Sequence, residues 1–198
     1  MHPAITSDVD VVGKLLVAGA CVGLPTDTVY GLAARLASPD AIRDLFELKG
    51  RSLTNAIAVL VDSTATAQQL GVLDERALAI AEQFWPGPLT MVVRRRPGLD
   101  VDLGGDAAFI GLRVPAHELI RALATLVGPL ATTSANRAGE PTLGSAVEIA
   151  ERFGASLGAV LDGGPSADSA STVIDVGGDE LIVLREGPIT AAQLRSLA

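Results

Sequence analysis

Cysteine is almost absent from this 198-residue sequence: Cys21 stands alone, so no internal disulfide can form. Lying between Ala20 and Val22 in an apolar run, it reads as a buried, inert thiol. Histidine is nearly as scarce. With only His2 and His117, and no close His/Cys spacing, a structural zinc site is not expected. Aromatic residues make up 3% of the chain, so its core must rest on Ala, Val, Leu and Ile, which suits a buried sheet covered by helices. Basic residues number 15 against 23 acidic ones, and the resulting net charge of −8 argues against a protein that clamps nucleic acid along a basic face. No apolar run reaches membrane-spanning length, and no basic segment followed by an apolar one opens the chain. The expected compartment is the cytoplasm, with no membrane partner.

What is present is 48% hydrophobic sequence in a length that suits one domain, and no linker, repeat or low-complexity segment divides it. Helices are expected from Ser7 or Asp8 to Ala18, from Pro39 to about Gly50, over 63–70 and 74–84, from Pro115 to Val127, over 145–153, and after Thr190. Short apolar strands are expected over 20–24, 56–61, 90–94, 108–114, 129–132 and 158–161. Residues 172–176 and 181–184 flank Gly177-Gly178-Asp179-Glu180, a hairpin turn. The run between Leu32 and Lys49 reads as helical, so the first third reads helix–strand–helix–strand. Residues 95–107, with Pro97, Gly98, Gly104 and Gly105, read as an exposed loop.

Chemistry concentrates where strands end. Gly23-Leu-Pro-Thr-Asp-Thr-Val-Tyr-Gly-Leu32 places hydroxyls and a carboxylate in a turn after an apolar strand, and Lys49-Gly50-Arg51 places two cations near it. Open α/β sheets bind ligands outside strand ends, and a Lys/Arg pair there suits an anionic ligand. Each piece alone has an ordinary role as a turn or as a helix C-terminus. A second cluster, Thr132-Thr133-Ser134-Ala135-Asn136, repeats the pattern, and hydroxyls and backbone N–H groups at a strand end can hold phosphate. Arg113 and Arg185 also stand at strand ends, where a buried arginine needs an anionic partner.

These stretches, together with Trp85-Pro-Gly-Pro-Leu-Thr90, Asp162-Gly-Gly164, Ser171-Thr-Val-Ile-Asp175 and Leu184-Arg-Glu-Gly-Pro188, resemble in order and spacing the threonylcarbamoyl-AMP synthases of the YrdC-like family. The resemblance covers about residues 8 to 195 of a single 1–198 domain, without the extra C-terminal domain of longer members. It implies an α/β (α+β) fold of three layers, a twisted mixed sheet between helices. It also implies condensation of L-threonine, bicarbonate and ATP to threonylcarbamoyl-AMP with release of pyrophosphate, for threonylcarbamoyladenosine modification of tRNA.

Carried over by position, Thr28, Arg113, Thr132 and Ser171 surround the threonine. Arg51, Asn55, Ser134, Thr142 and Arg185 hold ATP, and Lys49 and Arg51 are the catalytic pair. Mg²⁺ arrives with ATP rather than in a protein cage, and the product passes to a tRNA threonylcarbamoyltransferase machinery, so strong nucleic-acid binding is not expected. The sequence departs from the family pattern at Ser52 and Ala56, where relatives carry proline, and at Leu60, where some carry histidine. The loop 52–55 is therefore expected to be less restricted. The alternatives are a paralogue forming another carbamoyl-adenylate and an RNA-binding module without this activity.

Overall fold

The computed structural model describes residues 3–50, 52–167 and 169–195. In chain order the elements are β1 (Ala4–Thr6), α1 (Val9–Val17), β2 (Val22–Leu24), β3 (Gly31–Arg35), α2 (Pro39–Lys49), β4 (Ala58–Leu60), α3 (Thr64–Leu70), β5 (Gly71–Val72), α4 (Glu75–Phe84), β6 (Leu89–Arg95), β7 (Phe109–Arg113), α5 (Glu118–Val127), β8 (Leu130–Ser134), α6 (Ala146–Phe153), β9 (Ala159–Leu161), β10 (Thr172–Asp175), β11 (Ile182–Arg185) and α7 (Ala191–Arg195). A 3₁₀ turn, Gly154–Ser156, follows α6.

Local chemistry starts and stops these helices. The Asp8 carboxylate accepts from the N–H groups of Asp10 and Val11 at the start of α1. Ser145 and Glu148 form a reciprocal capping box on α6. Gly50, at φ 60°, takes the left-handed conformation that ends α2 immediately after Lys49.

Ten strands run side by side in the order β1-β9-β2-β3-β8-β4-β7-β6-β10-β11, with β5 added against β6. The sheet is mixed: β1/β9, β9/β2, β4/β7 and β6/β10 are parallel, and the remaining neighbours are antiparallel. Side chains alternate between its faces. One face packs Leu32, Val59, Met91, Leu112 and Ile174 beneath residues of α2, α4 and α6, such as Leu45, Ile80 and Ile149. On the other face Val22, Leu24, Ala33, Leu60 and Leu130 meet Leu16 of α1 and Leu123 of α5.

That second face is only part covered. Following the same alternation outward, Thr132 and Ala58 stand directly paired, then come Gly111, Thr90 and Val173, mostly small residues. Gly111, Ala58 and Val173 remain partly exposed. The helices thus leave a groove floored by strands.

Two expectations need correction. The stretch after Leu32 does not begin as helix: Gly31–Arg35 is a strand, antiparallel to β2 on one side and β8 on the other. Its Leu-Ala-Ala sequence has good helix propensity, but two flanking strands override it. Pro115 does not open α5, which begins at Glu118 after an extended His117.

The loop 95–107 is tied down rather than simply exposed. Ile57 N–H donates to the Leu103 carbonyl at 2.9 Å, and Leu103 is buried. Arg95 and Arg96 donate to the carbonyls of Val101 and Gln68. The loop 52–55 is organised by Ser52, whose hydroxyl accepts from Thr54 N–H at 3.3 Å and from its hydroxyl at 3.0 Å.

Candidate active site

At the inner end of the groove Arg113 leaves the last position of β7, 5% exposed. Its guanidinium donates from Nε to the Gly87 carbonyl at 3.0 Å, from Nη1 to Thr28 Oγ1 at 2.8 Å and from Nη2 to Asp27 Oδ1 at 2.6 Å. The Trp85-Pro86-Gly87-Pro88 turn therefore supplies a carbonyl to a buried cation. Burial lowers the Arg113 pKa; Asp27 opposes that shift and Arg185 adds to it. An arginine stays protonated in such surroundings, and removing one partner of a buried pair costs about 3–5 kcal/mol.

The turn between β2 and β3 is held by its own hydroxyls. Thr26 Oγ1 donates to the Val29 carbonyl at 2.7 Å and accepts from the N–H groups of Thr28 and Val29. Tyr30, fully buried, reaches from the same turn to the Gly164 carbonyl at 2.8 Å. It thereby fastens the Asp162-Gly163-Gly164 segment to the cleft. His117 packs against this segment: a Cβ added at Gly163 would lie 3.0 Å from its imidazole. Its Nδ1 is buried without a hydrogen-bond partner among the described residues, and burial lowers its pKa, with Asp27 opposing and Arg121 adding to the shift.

Ser171 forms the neighbouring group. Its hydroxyl lies 3.0 Å from that of buried Thr90 and accepts from Arg185 Nη2 at 3.1 Å, while Arg185 Nε donates to the Ser171 carbonyl at 3.0 Å. Thr172 beside it accepts from Gly187 and Ile189 N–H and donates to the Ile189 carbonyl, which fixes the turn after Arg185.

The third group lies at the end of β8. Lys49 is 3% exposed and donates through Nζ to the Ser134 carbonyl at 2.7 Å, to Ser134 Oγ at 2.9 Å and to Asn136 Oδ1. Asn136 Nδ2 in turn donates to the carbonyls of Arg137 and Glu140. A buried ammonium held by carbonyl, hydroxyl and amide oxygens marks where an anion would meet positive charge.

The structure thus joins Thr28 to Arg113, Ser171 to Arg185, and Lys49 to Ser134. Arg113 and Arg185 are within electrostatic reach of each other. Thr132 shares the face of Ser134 but turns its hydroxyl to the Leu130 carbonyl at 3.1 Å. Asn55 and Thr142 are exposed at loop positions. Arg51 lies outside the described residues. Leu60 is 3% exposed within an apolar cluster that includes Ile120, Leu123 and Leu130.

Sequence reasoning missed Asp27, Thr90, Asn136 and His117 as site residues. Asp27, Thr90 and Asn136 lay inside the motifs already singled out, while His117 carried no local signal. Among the described residues no three His, Cys, Asp or Glu side chains gather as a metal site, and no helix is long and apolar enough to cross a membrane. A concavity of about 570 Å³ beside Cys21 has Asp44, Glu47 and Arg137 in its walls and meets the groups above only at Arg137, whose carbonyl accepts from Asn136.

A family model for Sua5_yciO_yrdC, described as "Telomere recombination", matches residues 14–187. A protein of Mycobacterium tuberculosis is 37% identical over 179 residues, which is 89% of this chain and 82% of that protein. The threonylcarbamoyl-AMP synthase of Bacillus subtilis is 33% identical over 180 residues, 89% of this chain and 52% of its own length. The crystal structure of Pyrococcus abyssi Sua5 complexed with L-threonine superimposes with a TM-score of 0.92 at 30% identity. All of this chain, but only 61% of that one, is covered, so the chain spans about three fifths of its length. Escherichia coli YciO shares the fold at a TM-score of 0.87 and 20% identity, with 98% of each chain covered. With a family model matched over residues 14–187, well over half of its length, the chain belongs to the Sua5/YciO/YrdC family.

Proposed function

We propose that this chain is a threonylcarbamoyl-AMP synthase, joining L-threonine, bicarbonate and ATP and releasing pyrophosphate. The observation that carries the reading is a buried arginine and a buried lysine, each held by hydrogen bonds to a hydroxyl beyond or at a strand end, Thr28 and Ser134. Relatives named for this activity support it.

In this reading Arg113, with Thr28, Thr132 and Ser171, receives the threonine. Lys49, Arg51, Asn55, Ser134, Thr142 and Arg185 receive ATP. The threonine amine, once neutral, attacks the bicarbonate carbon, and water leaves to give the carbamate. A carbamate oxygen then attacks the α-phosphorus while the bond to pyrophosphate breaks. Neither step requires a covalent intermediate with the protein, so positioning and charge neutralisation supply the acceleration. Mg²⁺ enters as the counter-ion of ATP, held by phosphates and water. The product is a mixed anhydride suited to transfer onto tRNA by a partner machinery, and the net charge of −8 fits a division of labour in which that partner holds the tRNA.

The deciding experiment is pyrophosphate release by the purified protein with ATP, bicarbonate and each amino acid singly. Release that needs both threonine and bicarbonate is the expected result. ATP binding without threonine-dependent release would instead assign the chain to a paralogue with another acceptor amine.

A further inference from the structure

We infer that Asp27 is the receptor for the α-ammonium of the amino-acid substrate, forming with Arg113 a two-pole site that selects a zwitterion. The inference rests on the amino-acid reading above and deepens it by assigning the pole opposite Arg113.

Hydrogen-bond accounting carries the argument. Thr26 spends its only hydroxyl proton on the Val29 carbonyl at 2.7 Å and both its acceptor positions on the N–H groups of Thr28 and Val29. Thr28 Oγ1, 2.9 Å from it, accepts from Arg113 Nη1 at 2.8 Å. Both threonines are thus engaged in holding the turn and the guanidinium, and among the described residues a formal negative charge beside Arg113 comes from Asp27 alone.

The Asp27 carboxylate, by contrast, can only accept. Its Oδ1 takes Arg113 Nη2 at 2.6 Å, and its Oδ2 takes no hydrogen bond from a described residue. The Asp27 side chain keeps 14% of its surface exposed, against 6% for Arg113. Arg113 retains one further N–H on each Nη among the described contacts, and these can only donate. The site thus presents a donor-only cation, Arg113, and an acceptor-only carboxylate, Asp27, side by side.

A ligand with a carboxylate alone would face Asp27 across its own salt bridge, and one with an amine alone would face Arg113. A ligand bearing both charges on one carbon satisfies each pole, because charge-assisted hydrogen bonds form on both sides and neither buried ion is left alone. The other titratable groups that act on the pair are His117, whose lowered pKa favours its neutral form beside Asp27, and Arg185, whose charge acts on Arg113.

The test is calorimetric binding of three ligands to the intact protein: L-threonine, L-threoninol, which lacks the carboxylate, and 2,3-dihydroxybutanoate, which lacks the amine. The wild type is expected to bind threonine about tenfold or more tighter than either analogue. Asp27→Asn keeps an acceptor for Arg113 but can turn an NH₂ toward the ligand. It is expected to lose about tenfold in threonine affinity while holding the dihydroxy acid as before.

Equal weakening of both ligands would reduce Asp27 to a support for Arg113 and overturn the inference. So would a wild type that binds threonine and the dihydroxy acid equally, a comparison that stands even where the variant fails to fold. A wild type that prefers another zwitterionic amino acid would keep the two-pole site and overturn the threonine reading alone. A wild type that binds no amino acid would overturn the inference whatever the pyrophosphate assay gives.

Discussion

The carbonyl oxygen of Gly87 lies 3.0 Å from Nε of Arg113, and it is the one backbone contact among the three that aim the guanidinium. A Cβ at residue 87 would stand 2.3 Å from the Phe84 carbonyl oxygen. The Gly87 N–H is also committed, to the Val114 carbonyl at 2.9 Å. Gly87→Ala must therefore shift the turn and with it Arg113. The expected outcome is a lower melting temperature, by a loss of about 1–3 kcal/mol, and a KM for threonine raised more than that for ATP. Equal changes in the two KM values would detach Gly87 from the threonine side.

Lys49 has the opposite bias. Lys49→Met keeps an apolar stem in place but removes the donor shared by Ser134 and Asn136. Pyrophosphate release is expected to fall by about 100-fold or more, in line with loss of a preorganised charge, with threonine affinity in binding assays little altered. Activity within a few-fold of wild type would remove Lys49 from the chemistry.

Cys21 is set up to stay silent. Its thiol donates to the Ala41 carbonyl at 3.2 Å, and burial, reinforced by Asp44, pushes its pKa up to about 12 from 9.0. A pKa raised in the folded state gives a contribution fully present below the unfolded value and lost as pH climbs toward the folded one. Wild type should therefore lose more stability than Cys21→Ala between about pH 9 and 12. At pH 8 thiol reagents should label Cys21 only after denaturation, and Cys21→Ala should keep full activity. Rapid native labelling would contradict the burial argument.

His117 titrates in the other direction. Burial lowers its pKa, so the unfolded chain takes up its proton first as the solution is acidified. Its contribution to stability is present above the ordinary value of about 6.5 and is lost as pH falls through the lower folded one. The imidazole resonances, assigned by their loss in His117→Asn, should show a midpoint below 6.5, and that variant should lose less stability than wild type on acidification. A midpoint at or above 6.5 would show that Asp27 outweighs burial.

The sequence made most of the architecture legible because its punctuation is strong. Pro39 at the start of α2 and Gly50 at its end bracket a helix that needs no tertiary information, and the Gly-Gly-Asp-Glu turn announces the β10/β11 hairpin. What stayed hidden depended on partners distant in sequence. Gly31–Arg35 is a strand because β2 and β8 hold it on both sides, a fact absent from its own residues. The candidate residues were visible through their motifs, but their grouping was not. Asp27 looked like a turn residue until Arg113, 86 positions later, closed on it. Thr90 closes the Trp85–Thr90 motif, but its place in the site shows only in its contact with Ser171.

The groove is floored by strands whose backbone groups are already committed to one another, so its polar specificity falls mainly to side chains. Replacing Thr132, Ala58, Gly111 or Thr90 would redraw the recess without disturbing the ladder beneath it. Such a surface behaves as a fixed board with interchangeable pegs. A change of accepted ligand would then need only a few substitutions at alternate strand positions, and the fold would survive each of them.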